Sequence, residues 1–173
     1  MTRLESFRAE KDEFFAKHLQ SPLTHAQKHE FKGLKYYPEN PGLRLEIPVE
    51  VFPTQENVSI QTTGDEPQLY KRYGRLKFEV EGQGAELTVY SNQDGFFLPF
   101  VDSLAGKETY PAGRYIEVEQ LKNGKFLVDF NLAYNPYCAY NDAWSCPLTP
   151  AENRLKVAIR AGEKIFHAEE QGT

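Results

Sequence analysis

The chain has 173 residues with 25 acidic and 20 basic side chains, a net charge of -5. That charge repels a phosphate backbone, and no run of five or more Lys and Arg offsets it, so nucleic acid is excluded as a general partner. Residues 1–13 are charged throughout without an apolar h-region, and no apolar run reaches the length of a membrane span, so neither a secretory leader nor a membrane partner is expected. A cytoplasmic location follows as the expectation, with Cys138 and Cys146 as thiols rather than a disulfide.

The length predicts a single domain, 1–173, large enough to bury a core without covalent staples. Leu4, Phe7, Phe14, Phe15 and Leu19 recur at roughly helical spacing, which predicts an amphipathic helix over 4–19, ended by Ser21-Pro22. Thr24 with Gln27 forms a capping-box pattern for a second short helix that closes near Gly33. The turn-rich stretch 36–42 ends the helical part. Beyond it the pattern changes to short alternating segments, predicting strands over 44–50, 58–62, 74–80, 85–91, 96–101, 114–121, 125–131 and 154–160. The aromatic share of 13%, mostly Phe and Tyr, agrees with strands. The expected fold is mainly β: an antiparallel β-sandwich or barrel-like sheet, 43–168, with one or two N-terminal α-helices, 1–33, packed on it.

The hairpin around Lys122-Asn123-Gly124 admits two registers, a two-residue Asn123-Gly124 turn or a three-residue loop with Gly124 in the left-handed position of a bulge. The two-residue turn mixes polar and apolar side chains on both faces. The three-residue loop places Ile116, Val118 and Gln120 opposite Phe130, Val128 and Phe126 on one face, and this segregated register is the expected one. It also sets Glu117 opposite Asp129. Such a pair is open to three readings: a solvated pair, a partly buried pair held by Arg114 or another cation, or a functional pair that shares a proton or binds a divalent metal.

The following stretch, 131–147, holds four aromatic rings, Tyr134, Tyr137, Tyr140 and Trp144, with Asn131, Asn135 and Asn141. A loop so aromatic is expected to pack, either as a ligand wall or as a cover for a sheet end. The Cys138–Cys146 spacing does not suit a structural zinc site, and the thiols are read as packing among rings. His25 and His29 share a helix face but lack a third ligand.

The sequence resembles a family of uncharacterised proteins grouped as domain of unknown function 1684. The resemblance rests on R-A-E-K-D-E-F-F at Arg8–Phe15, S-P-L at Ser21–Leu23, G-L-K-Y-Y-P at Gly33–Pro38, Y-G-R-L-K-F at Tyr73–Phe78, F-L-P-F-V-D at Phe97–Asp102 and E-T-Y-P-A-G-R-Y at Glu108–Tyr115. It is strongest in D-F-N-L-A-Y-N-P-Y-C-A-Y at Asp129–Tyr140, with S-C-P-L at Ser145–Leu148 and E-N-R-L at Glu152–Leu155. It implies no activity. It does imply that Asp129, Asn131, Tyr134, Asn135, Cys138 and Cys146 belong to the family signature and that Glu117 stands at an acidic position. Leu104 departs from the hydroxyl residue expected there, and His25 and His29 lie outside the pattern.

The resulting expectation is a cleft for a small molecule at one end of the sheet. Glu117, Asp129, Asn131 and Tyr115 form its polar floor, Tyr134, Asn135 and Tyr140 its wall, and Asp102, Tyr110 and Arg114 are neighbours in sequence. Two alternatives stand beside it: an enzyme using Glu117 and Asp129 for acid–base or metal-assisted hydrolysis, and an interaction module docking a partner through the loop 134–144. Oligomeric state is left open.

Overall fold

A computed structural model describes residues 2–167. Helix α1, Arg3–Lys17, starts at a capping box in which Thr2 Oγ1 accepts from the Glu5 N–H at 3.1 Å and the Glu5 carboxylate accepts from the Thr2 N–H at 3.3 Å. It stops two residues short of the expected end, and Leu19 stands in solvent. The turn at Ser21 is held by its hydroxyl donating to the Phe15 carbonyl at 2.7 Å. Helix α2, His25–Glu30, carries the predicted Thr24–Gln27 box. Gln27 reaches beyond it and donates to the Tyr140 carbonyl at 2.7 Å. Phe15 and Leu23 pack with Tyr140 in a second core, flanked by Phe14, Phe31, Tyr137 and Phe166. The helices therefore lean on the loop after the last strand and on the C-terminal segment.

The strands are β1 (Arg44–Ile47), β2 (Val49–Val51), β3 (Asn57–Ile60), β4 (Gln68–Val80), β5 (Gln83–Asn92), β6 (Gly95–Phe100), β7 (Arg114–Ile116), β8 (Glu119–Gln120) and β9 (Phe126–Asp129). They pair antiparallel in the orders β1-β9-β8 and β2-β4-β5-β6-β7, with β3 also on β4. Chain continuity joins these two sets at both ends. Pro48 alone separates β1 from β2, and it has no N–H to give to a ladder. Glu117-Val118 alone separates β7 from β8. The strands thus form an antiparallel sheet curled into a half barrel around Leu76, Leu87, Val89, Leu98, Phe100, Ile116, Phe126, Val128 and Phe130. A bulge between Arg72 and Gly74 sharpens the curl of the long β4. Gly74 is required there, because a Cβ would lie 2.8 Å from the Glu50 carbonyl oxygen.

The predicted strand over 154–160 is not a strand. Its alternation is real: Val157, Ile159, Ala161, Glu163 and Ile165 are all buried. What it lacks is a full ladder: a single parallel bridge at Arg154 joins it to Val101, with the Leu155 N–H donating to the Val101 carbonyl at 2.7 Å and the Val157 carbonyl accepting from the Ser103 N–H at 2.9 Å. Beyond Val157 buried side chains take over, as the complete pairing of buried amides demands. The Ile159 N–H donates to Asp102 Oδ2 at 2.8 Å, and Arg114 donates to the carbonyls of Ile159, Ala161 and Glu163 at 2.5–3.0 Å. Asn153, fully buried, does the same between β5 and β6, bonding both backbone groups of Thr88 and the carbonyl of Pro99. Gly162 lets this segment approach the loop after β9. A Cβ there would lie 2.7 Å from the Ala133 carbonyl oxygen, at a φ of +79°.

The packing of phenols gives an alkaline limit to the fold. Burial holds Tyr90, Tyr115 and Tyr140 well above the ordinary tyrosine pKa, with Glu152 adding to the effect at Tyr90 and Glu163 at Tyr140. A folded-state pKa above the unfolded value of about 10 stabilises the protein fully below that pH, and the contribution fades as pH rises toward the folded value. Tyrosinate absorbance and loss of far-ultraviolet circular dichroism are therefore expected to rise together above about pH 10. Ionisation of these phenols with the circular dichroism unchanged would contradict the packing.

Candidate functional site

The hairpin after β8 has the predicted three-residue loop. Gly124 is left-handed at φ +85°, its N–H donates to the Leu121 carbonyl at 2.9 Å, and Asn123 Oδ1 accepts from the Lys125 N–H at 3.0 Å. Glu119 pairs with Leu127 and Gln120 with Phe126, as the segregated register requires. Ile116, Phe126, Val128 and Phe130 are buried on its apolar side.

The register does not extend to the two carboxylates. The strand breaks at Glu117-Val118, and β7 leaves the hairpin to pair with β6, while the Tyr115 N–H and carbonyl bond the backbone of Tyr134 at 2.8 and 3.0 Å. The residue opposite Asp129 is Arg44, whose Nε donates to Asp129 Oδ2 at 3.0 Å. Asp129 Oδ1 caps the next turn, accepting from the Asn131 N–H and side-chain amide at 3.0 and 2.9 Å. Both oxygens are thus engaged. The expected Glu117–Asp129 dyad is corrected to an Asp129–Arg44 pair and a separate Glu117. A divalent metal does not fit at Asp129, and among the described residues no group of three or more His, Cys, Asp and Glu is placed to hold one.

Most of the other predicted site residues brace the fold. Arg114 is almost wholly buried beneath the Phe100 ring, with Asp102 at 3.7 Å. Burial lowers its pKa and the Asp102 charge opposes that fall. Asp102 also accepts from the Thr109 hydroxyl at 2.7 Å. Asn131 exchanges two hydrogen bonds with the Asn40 backbone and pins the turn before β1. The Asn135 side chain donates to the Lys164 carbonyl at 3.1 Å, and the Asn135 N–H donates to Glu163 Oε2 at 3.1 Å. Tyr140 also donates to Glu163, whose other oxygen pairs with Lys11 of α1. Tyr115 donates to the Pro147 carbonyl, and the Tyr110 hydroxyl lies 3.7 Å from Cys138 Sγ.

Glu163, 1% exposed, is the hub that the sequence reading passed over. Its signal was present, since it falls on the buried phase of the 157–165 alternation. A carboxylate in that phase must find a cation or hydrogen-bond donors, and here it has both.

Two predicted residues, Glu117 and Tyr134, share a cleft. It opens between α1 and the chain after β9, with a volume of about 650 Å³. Phe7, Phe14 and Phe15 of α1 form one wall, and Leu132, Tyr134 and Tyr137 the other. Glu10, Lys11 and Glu117 are its charged groups. Lys11 Nζ sits 5.1 Å from the Tyr134 ring centroid and is neutralised by Glu163 behind it. Glu117 lies against Tyr134, whose phenol is raised first by burial and then by the Glu117 charge. Neither Glu10 nor Glu117 forms an ion pair among the described residues. The cleft therefore combines ring-lined walls with two unneutralised carboxylates at its mouth. The α1 side was foreshadowed by Phe7 and Phe14 in the amphipathic pattern, which the sequence reading assigned to packing alone.

The sequence profile of the family described as protein of unknown function DUF1684 matches residues 29–164. The chain belongs to the DUF1684 family. Among solved structures it is similar to the solution NMR structure of an uncharacterised protein of Haloarcula marismortui, at 38% identity over 94% of this chain and 92% of that one, with a TM-score of 0.70. No match to a curated protein was found. The family match begins at residue 29, so the α1 wall of the cleft lies outside it, whereas Glu117, Leu132, Tyr134 and Tyr137 lie within it. No helix among the described residues of this DUF1684 protein is long and apolar enough to cross a membrane.

Proposed function

We propose that this DUF1684 protein binds a small organic molecule in the cleft between α1 and the Tyr134–Tyr137 loop, and that the ligand has an apolar or aromatic body and a cationic nitrogen. The observation that carries this reading is the pairing of aromatic walls with Glu10 and Glu117, while the single lysine of the cleft is already spent on Glu163. Ring faces attract cations, and a carboxylate beside them adds directional hydrogen bonds. The volume suits a compact ligand. The hydrolytic alternative loses its second carboxylate, since Asp129 is held by Arg44 and Asn131. The docking alternative is weakened because Tyr134, Tyr137 and Tyr140 turn inward and Trp144 alone of the loop's rings is exposed.

Benzylamine, as its ammonium ion, and benzoate, added separately to the full chain, distinguish the readings. Benzylammonium should raise the thermal midpoint saturably and shift NMR signals of Tyr134 and Phe14, and benzoate should not. Glu117→Gln should weaken that binding by about 10-fold or more, the worth of one charge-assisted contact. Equal responses to the two probes, or no response to either, would remove the proposal.

A further inference from the structure

We propose that Cys138 and Cys146 form a dithiol that a hydroperoxide oxidises to a reversible intramolecular disulfide. The two residues are brought together by separate restraints. Cys138 lies in the short turn Tyr137–Ala139, and its N–H donates to Cys146 Sγ at 3.4 Å. Cys146 is fixed from the other side, where its N–H donates to Thr63 Oγ1 and its carbonyl accepts from the Thr63 N–H, both at 3.0 Å. Both sulfurs are free thiols, Cys138 partly exposed and Cys146 buried. That asymmetry fits an attacking thiol that meets the oxidant and a resolving thiol held behind it.

The hydrogen bond from the Cys146 thiol, opposed by burial and helped by the Tyr110 hydroxyl 3.7 Å away, holds the Cys138 thiol below its ordinary pKa. A thiolate is the nucleophile in this chemistry. Its sulfur attacks one peroxide oxygen, the O–O bond breaks, and the departing oxygen leaves as water or an alcohol after taking up a proton. Cys138 is then a sulfenic acid. The Cys146 sulfur attacks it, the S–O bond breaks, and the hydroxyl leaves as water with the Cys146 proton. The dithiol loses two protons and two electrons together, and the hydroperoxide is reduced. A bond here ties the Tyr137 turn, one wall of the cleft, to the Thr62–Pro147 bridge beside β3. The proposal stands apart from the ligand reading and survives its failure.

The test uses the folded full chain, a small excess of hydrogen peroxide, intact-mass measurement and thiol alkylation. The expected product is monomeric, lighter by two hydrogens, without alkylatable thiols, and returned to the starting mass by dithiothreitol; its thermal midpoint is raised. Cys146→Ser should stop at a dimedone-reactive sulfenic acid on Cys138. Cys138 advancing to the sulfinic acid while Cys146 stays a thiol would overturn the proposal. So would survival of both thiols under an exposure that oxidises the urea-unfolded chain. The wild-type masses decide the matter even if the variant does not fold.

Discussion

Replacing Arg114 by Met is expected to cost about 3–5 kcal/mol of folding stability, the range found when one member of a buried charge pair is removed. Two losses combine. Asp102 keeps its carboxylate in the interior without a compensating cation, although Thr109 and Ile159 still donate to it. The carbonyls of Ile159, Ala161 and Glu163 lose their donor, and each unsatisfied buried acceptor carries its own desolvation penalty. Met fills the stem volume, so a cavity is not the cause. Guanidinium unfolding, followed by aromatic circular dichroism, measures the loss. Adding Asp102→Asn to the Met variant removes the stranded charge while retaining an acceptor for the Ile159 N–H, and should recover part of it. A cost under about 1 kcal/mol would place Arg114 among ordinary surface residues and contradict the brace described above.

Glu163→Gln is expected to cost about 2–3 kcal/mol, below the range for a fully buried pair, because Lys11 is 18% exposed and can carry its ammonium toward the cleft. The amide retains an acceptor for the Asn135 N–H and the Tyr140 hydroxyl, so the loss isolates the ion pair. The double variant Lys11→Met with Glu163→Gln should be more stable than the sum of the single costs predicts, because neither then leaves a charge behind. Strict additivity of the two single effects would show that the residues do not interact. The pair also joins α1 to the C-terminal segment, so hydrogen exchange in α1 should rise in Glu163→Gln before exchange in β4 and β5 changes.

The Lys11–Glu163 pair shows where sequence reasoning stops. Burial of position 163 follows from the alternation through Val157, Ile159 and Ala161, but no periodicity names a partner 152 positions away on a helix. Asp129 is the same case. Its neighbour across the hairpin was inferable from turn chemistry and facial segregation, and the inference holds at Glu119 and Gln120. It fails two residues further on because the strand breaks at Glu117-Val118 and β7 turns away to pair with β6, while Arg44 of β1, 85 residues away in sequence, meets Asp129 from the other side. The cleft was half legible. Tyr134 and Glu117 stood out by type and place, but the facing wall required knowing where α1 docks.

What the sequence by itself determined are the features written within a few residues: both helix starts, the three-residue hairpin loop at Gly124, the alternation that divides inside from outside, and the mainly β character. Turns and caps depend on local hydrogen bonds, and facial patterns depend on the period of the backbone, so neighbouring residues suffice. Only the tertiary structure decided which strand accompanies which, that 154–160 would hold only a short parallel bridge to Val101 and then be clasped at Ile159 by Asp102 and Arg114, and that Glu117 would face the rings of α1 rather than Asp129. Those outcomes come from burial and charge compensation between distant segments, where one buried group is stable only through a partner that the rest of the chain brings to it.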